Sequence, residues 1–463
     1  MKIFKTLIFG IFFLVLISSC TKSEDDIENL NSELTEDQQL LRETSLLFGK
    51  LISNNEVKKD VLLKMKQIEQ DGDMVSFAYL LDEKEKLKKE EVKAIQLQKK
   101  SKPTKNIFKN ALIEEFENNQ ELYVSLRKSL VVNSTIVNKS TPSEIANDLA
   151  RLLVDKELQI FYPSDGDFED SNNSVDKFYV SYDPLKDTQT NEGFQFKSNS
   201  TNYTIKNNLN NDFIDENPVF IIAPIDDCDL PGRACDFDDG DPIADLPPYT
   251  GGPKLLTYNV NHNLVPEKDI ISTRIPAIRV NGTRWMRFGG THLKLAFHRG
   301  SPTGTVARVK GGLVADADSY PVKNIRIKRK YLKRKLRWVT FDAEFDPDWN
   351  MSENTQVMAV FPKHHWVGSA TTEVEVKSGL KFDATTGKVT PTTEATVTTK
   401  VTIKEDHSKY RTRAEMSRRF VLSTITGNGI SGKTKSDNGV NYNVKRVDII
   451  DYYMKFWHTD LTP

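Results

Sequence analysis

Thr141-Pro-Ser-Glu-Ile-Ala-Asn-Asp-Leu-Ala-Arg-Leu-Leu-Val-Asp-Lys-Glu-Leu-Gln-Ile-Phe-Tyr162 is where the pattern of this chain changes. Its first half starts a helix: Thr141 suits an N-cap, Pro142 the first turn, and Glu144 stands three on from the threonine. Ile145, Leu149, Leu152 and Leu153 then recur at helical spacing as one buried stripe. From Gln159 the pattern is short, aromatic and β-branched, which is strand chemistry. Helical signals lie before this stretch and strand signals after it. The reading outward from it is an α+β multidomain chain, with an N-terminal helical domain followed by a mainly antiparallel β region that ends in a C-terminal β-sandwich.

Upstream, Thr35 and Gln38 spell a capping box ahead of Leu40, Leu41, Leu47, Phe48, Leu51 and Ile52. A second helix buries Val57, Val61, Met65 and Ile68, and Met74 to Leu81 reads as a third. Lys84 to Lys100 reads as a solvated helix ending before Pro103, and Phe108 to Leu126 continues the pattern. Residues 35–155 are therefore assigned to the helical domain. Residues 156–225 form a small strand-rich segment around Gln159–Tyr162, Phe178–Tyr182, Tyr203–Ile205 and Val219–Ala223. The sequence leaves open whether that segment stands alone or packs on the helices. Residues 226–253, dense in Asp, Pro and Gly, read as an acidic linker. Residues 254–463 carry regularly spaced strands, among them Arg274–Val280, His292–Phe297, Trp338–Phe341, Gln356–Phe361, Glu373–Val376, Ala395–Ile403, Phe420–Ile425 and Val447–Phe456, which suit an antiparallel sandwich.

At 463 residues with 38% hydrophobic and 28% charged residues, composition fits a globular chain of two or three domains, and a net charge of −1 points to neither nucleic acid nor membrane. The first nineteen residues read as a secretory signal: Lys2 and Lys5, then an apolar run from Thr6 to Ile17, then Ser18-Ser19 before Cys20. Ile17-Ser-Ser-Cys20 resembles the lipobox of bacterial lipoproteins, with Ile17 where Leu is usual. The resemblance implies that Cys20 becomes the lipidated N-terminus, with 20–34 as its tether. Lys22 and the acidic Glu24-Asp25-Asp26 behind it resemble the export tag of Bacteroidota surface lipoproteins. This implies an outer-membrane location, lipid-anchored and facing the cell exterior. "PVFIIAP" at 218–224 and "FDPDWN" at 345–350 with "HHW" at 364–366 resemble uncharacterised flavobacterial lipoproteins, a likeness that implies no activity.

With Cys20 set aside, Cys228 and Cys235 remain, flanking a Pro231-Gly232 turn, and a disulfide is expected. Beside them, Asp236, Asp238, Asp239 and Asp241 form an oxygen-rich, Gly-containing loop of the kind that takes Ca²⁺. The spacing departs from the helix–loop–helix pattern at Pro247, and a soluble linker is the alternative. The basic run Lys323 to Arg337, with Arg326, Lys328, Arg329, Lys330, Lys333, Arg334 and Lys335, reads as a strand whose outer face is cationic, either an anion-binding strip or a charged edge.

Other motifs weigh less. Gly427 to Thr434 matches the phosphate-loop spelling, but the residues after it cannot open a helix, so nucleotide is not expected. His364 and His365 are adjacent and point to opposite faces of a strand. Asp342, Glu344, Asp346 and Asp348 could supply paired carboxylates for glycoside hydrolysis or form the wet face of a strand. The Thr-rich alternation at 371–404 is shared by sandwich strands and pore-forming hairpins. The functional expectation is a cell-surface lipoprotein that acts as a non-catalytic binding or adhesion module for an anionic glycan or a protein partner. The alternatives are a secreted hydrolase with an unrecognised active site and a β-pore-forming protein.

Overall fold

The computed structural model describes residues 34–68, 73–97, 106–133, 142–163, 176–243, 254–260, 264, 269–309, 312–332, 336–364, 368–382, 385, 389–391, 397–429 and 432–460. The expectations for the signal segment, Cys20, Thr141, residues 244–253, Lys333, Arg334, Lys335 and His365 lie outside them. What is described is a mixed α/β chain with open, mostly antiparallel sheets, compatible with the α+β class.

Helix Glu36–Ser53 begins at the expected box: the Gln38 amide N–H donates to Thr35 Oγ1 at 3.2 Å, and the Gln38 side chain accepts from the Thr35 N–H at 2.9 Å. Its apolar face, with Asn55–Ile68, Ile107–Asn118, Val124–Asn133 and Pro142–Asp155, covers one face of a six-stranded sheet. The strand order is Met74–Ser76, Leu158–Phe161, Val219–Pro224, Lys177–Tyr182, Thr190–Lys197, Ser200–Asn210. One pair in it is parallel, Val219–Pro224 beside Lys177–Tyr182.

The strand-rich segment packs on the helices, because one apolar cluster runs through both. Phe48 lies 6.3 Å from Phe108 and 5.7 Å from Phe220, and Tyr162 stacks on Phe220 at 4.1 Å. Two local expectations change. Met74–Ser76 is a strand, with a one-turn helix Phe77–Leu80 after it, because its edge position beside Leu158–Phe161 supplies hydrogen bonds that a helix start would not. The charged run before Pro103 gives the helix Lys89–Leu97, in which Glu91 is fully buried and accepts from the Ser76 N–H and Oγ, both at 2.7 Å.

Beyond residue 254 two sheets share a second apolar cluster. One has seven strands in the order Val397–Glu405, Ala370–Ser378, Glu353–Pro362, His292–Val309, Gly312–Lys328, Asp238–Asp239, with Thr412–Ser417 also paired to Glu353–Pro362. The other joins Lys445–Val447, Ile450–Tyr452, Asp269–Val280, Lys455–Asp460 and Lys254–Leu255, with Val339–Asp346 paired to Asp269–Val280. The Thr-rich pair Ala370–Ser378 and Val397–Glu405 packs Val374, Val376, Val401 and Ile403 onto Ala296, Val357, Ala359 and Phe361 of the seven-stranded sheet. The expected strand Phe420–Ile425 is instead the short helix Arg418–Leu422: Val421 and Leu422 are both buried while Phe420 is exposed, a pattern that strand alternation cannot satisfy.

The two regions are fastened together. Phe288 is fully buried in a cluster with Phe161, Leu209, Ile214, Val219 and Ile221 on the other face of the first sheet. Burying such a ring contributes roughly 1.5–3 kcal/mol. Arg329 donates to Asp215 Oδ1 at 3.0 Å and to Asn211 Oδ1 at 2.9 Å, and all three side chains are buried. Among the described residues, no helix is long and apolar enough to cross a membrane.

Candidate functional site

The acidic loop and the basic strand are neighbours. Cys228 and Cys235 are joined by a disulfide across a Cα–Cα distance of 4.8 Å, as expected. The chain leaving that ring adds Asp238–Asp239 as a parallel edge strand beside Ile325 and Arg326. Gly240 follows, its N–H donating to the Arg326 carbonyl at 2.8 Å; a Cβ there would lie 3.2 Å from that oxygen, so glycine permits the close approach.

This pairing joins charges that the sequence offered as two separate sites. Arg326 donates through Nη1 to Asp229 at 2.7 Å and through Nε and Nη2 to both oxygens of Asp239. Lys323 pairs with Asp238 at 2.7 Å. Among the described residues of the basic strip, Arg326, Arg329 and Lys330 do not lie on the exposed cationic face expected: they are 6%, 2% and 7% exposed. The strand ends at Lys328, and the chain turns through a 3₁₀ segment, Arg329–Tyr331, which carries Arg329 inward to Asp215. Among the described residues no group of three or more His, Cys, Asp or Glu side chains is arranged to hold a metal ion, and Asp236, Asp238, Asp239 and Asp241 are not gathered as a cage. Asp239, Asp241, Arg326 and Lys328 do share the wall of a polar cavity of about 330 Å³, which Asp73 and Lys88 from the first region complete.

A larger cleft, about 570 Å³, opens on the other side of His292 between the two regions. It lies past the carboxyl ends of the parallel pair, at Asp183 and Leu185 after one strand and Ile225 and Asp226 after the other. Open sheets present ligand crevices at such places. Gly289 brings its wall close: its φ is +74°, and its Cβ position lies 3.6 Å from the Asp183 Cα. The neighbouring Arg287 pairs with Asp183.

On the floor, Lys363 N–H donates to the Lys294 carbonyl at 2.8 Å, which places these lysines side by side on adjacent strands. Their ammonium groups lie 5.2 Å (Lys294) and 6.0 Å (Lys363) from the Phe237 ring centroid, within cation–π range. Lys294 pairs with Asp226 at 2.7 Å, and Lys363 pairs with Glu405, which His298 also engages at 2.5 Å. Burial pushes the Asp226 and Glu405 carboxyls up, yet their lysine partners and hydrogen bonds hold both below the ordinary range. Burial drives His292 and His364 each down to about 4, and Arg287 and Arg411 push His364 the same way, so both rings are neutral at pH 7.

The candidate hydrolase carboxylates do not meet in either cavity. Asp342 pairs with Arg274 at 2.9 Å on the surface, and Glu344 is exposed on the same strand. Asp346 is buried, 2.7 Å from Arg299, while the Gln356 amide bridges it to Glu353. Burial first, and then Asp346, raise Glu353 to about 8. At the phosphate-loop spelling, Gly427 and Gly432 hold φ of +100° and +67°, and the strands Thr434–Asp437 and Val440–Asn443 follow as a hairpin, in place of a helix.

Sequence reasoning missed Lys294, Lys363, Phe237 and Arg287. Only the placing of Lys294 in a strand was visible; its partner came from sheet pairing. In comparison with protein-family models, curated proteins and solved structures, nothing matches the chain.

Proposed function

We propose that this chain is a lipid-anchored, non-catalytic binding module held by Cys20 on the outer face of an outer membrane, with the 570 Å³ cleft as its ligand site. In this reading residues 254–463 form a β-sandwich domain, supported by the apolar cluster that both sheets share. The ligand class is an anionic glycan, with a protein partner as the second occupant of the same surface. One observation carries the reading: two lysines stand together on the floor of a cleft whose size suits a ligand of a few sugar units. The basic run at Lys323–Lys330 does not enter the site in this reading, because Arg326 and Arg329 are held by buried carboxylates and Lys323 by Asp238. Neither Ca²⁺ nor nucleotide enters the proposal.

Binding of acidic and neutral glycans by the full chain tests it, with chelator as a control. Salt-sensitive binding that chelator leaves intact is the expected result, and silence toward all glycans refutes the glycan class. The anchor has its own test: Cys20→Ala should release the chain from the membrane fraction, and retention there would refute lipidation at Cys20.

A further inference from the structure

Lys294 and Lys363 occupy a costly arrangement. Like charges directly opposite on paired strands are destabilising. The pair here is set by the antiparallel register Leu295–Pro362 and by the 2.8 Å bond from Lys363 N–H to the Lys294 carbonyl. Both side chains leave the same face, since both ammonium groups reach the ring of Phe237. Each has a carboxylate: Asp226 serves Lys294, while Glu405 is divided between Lys363 and His298.

An ammonium carries three donors, so one carboxylate partner leaves others to be satisfied. The side chains are 28% and 20% exposed, open enough for a ligand and closed enough to limit screening. Arg287, paired with Asp183, and Lys156 add cations to a lining that also carries Asp37, Asp226, Asp227 and Asp236, so the positive charge is local to Lys294 and Lys363. The half-buried Phe237 ring fixes where the two ammonium groups sit without neutralising them.

We infer that Lys294 and Lys363 form the anion subsite of the cleft and receive the carboxylate or sulfate group of an acidic sugar. The inference rests on the binding-module reading and deepens it. Glu405 is a positioning residue, orienting Lys363 from behind, and Phe237 is the shared support of both ammonium groups.

The test is calorimetric titration of the full chain in detergent with three probes: oligogalacturonate, its fully methyl-esterified form, and a heparin oligosaccharide. The variants are Lys294→Gln/Lys363→Gln and, as a control, Lys400→Gln at an exposed position on the outer strand pair. Thermal melting confirms that each variant is folded. The wild type should bind at least one anionic probe and ignore the ester, with affinity falling as salt rises. The double variant should lose about tenfold or more in affinity, the loss of one well-placed charged contact, while Lys400→Gln binds as the wild type does. Which anionic probe binds distinguishes carboxylate from sulfate. Equal binding of the esterified oligomer, or unchanged binding by the folded double variant, overturns the subsite and leaves the binding module standing. If no probe binds, the subsite is overturned, and the wider screen of acidic and neutral glycans decides the binding-module reading separately.

Discussion

Two sets of positive charge lie side by side on the seven-stranded sheet, where Lys294 stands directly opposite Arg326, and their partners differ. On one side Arg326 and Lys323 lie under an edge strand that brings Asp238 and Asp239 onto them, and Asp229 completes the set. On the other, Lys294 and Lys363 crowd together at the floor of a cleft, with Asp226 and half of Glu405 for company. The first cluster is a conspicuous run in the sequence, and its Arg326 is held between two carboxylates. The second is invisible in the sequence and open. Charge density along a chain thus says little about charge available to a ligand, because the carboxylates that the fold brings to each cation decide what is left over.

The comparison breaks most readily at Arg326. Arg326→Ala strands the buried Asp229, and unfolding in urea should show a loss of about 3–5 kcal/mol, the usual result of breaking a buried pair from one side. Lys363→Ala, by contrast, should cost less, about 1–2 kcal/mol, because His298 still engages Glu405. Equal costs would mean that the two clusters are not different in kind. The disulfide comes next, since it sets the loop that supplies the acids. Cys228→Ala with Cys235→Ala should cost roughly 2–3 kcal/mol by loop-closure entropy.

Acid probes the boundary between the clusters. His292 and His364 titrate near 4 in the folded chain against an ordinary 6.5, so the unfolded chain takes up protons first as pH falls. The stability they contribute is complete above pH 6.5 and lost on descent toward pH 4. His364→Gln should lose about 2 kcal/mol less than the wild type over that window, and identical pH profiles would refute the depressed value.

A smaller effect sharpens the contrast from the other end of the strand Glu353–Pro362. There acids crowd: Glu353, raised to about 8, sits by Asp346. The folded chain keeps that proton after the unfolded chain has lost it, so its contribution is complete below about pH 4.5 and declines as pH rises through 8. Glu353→Gln should therefore gain steadily on the wild type as pH rises from 5 to 8. A gain independent of pH would contradict the assignment.

How far the sequence could be read follows the same line. The helices from Glu36 to Asp155 were legible because capping and helical spacing act within a few residues, and the disulfide was legible from two cysteines flanking a turn. Strand positions such as Lys177–Tyr182 and Ala370–Ser378 followed from alternation. Register did not follow, and register creates the site: Asp239 finds Arg326, and Lys363 finds Lys294, through sheet order alone. Arg418–Leu422 eluded the strand pattern because β-branched and aromatic residues over so short a run suit either structure.

The carboxylates around the disulfide, Asp229 first among them, neutralise the basic strand. A double-mutant cycle on Arg326→Ala and Asp229→Ala, followed by urea unfolding, measures that pairing directly. Two costly single variants with a coupling above about 2 kcal/mol are the predicted result; losses that add to within about 0.5 kcal/mol would contradict it.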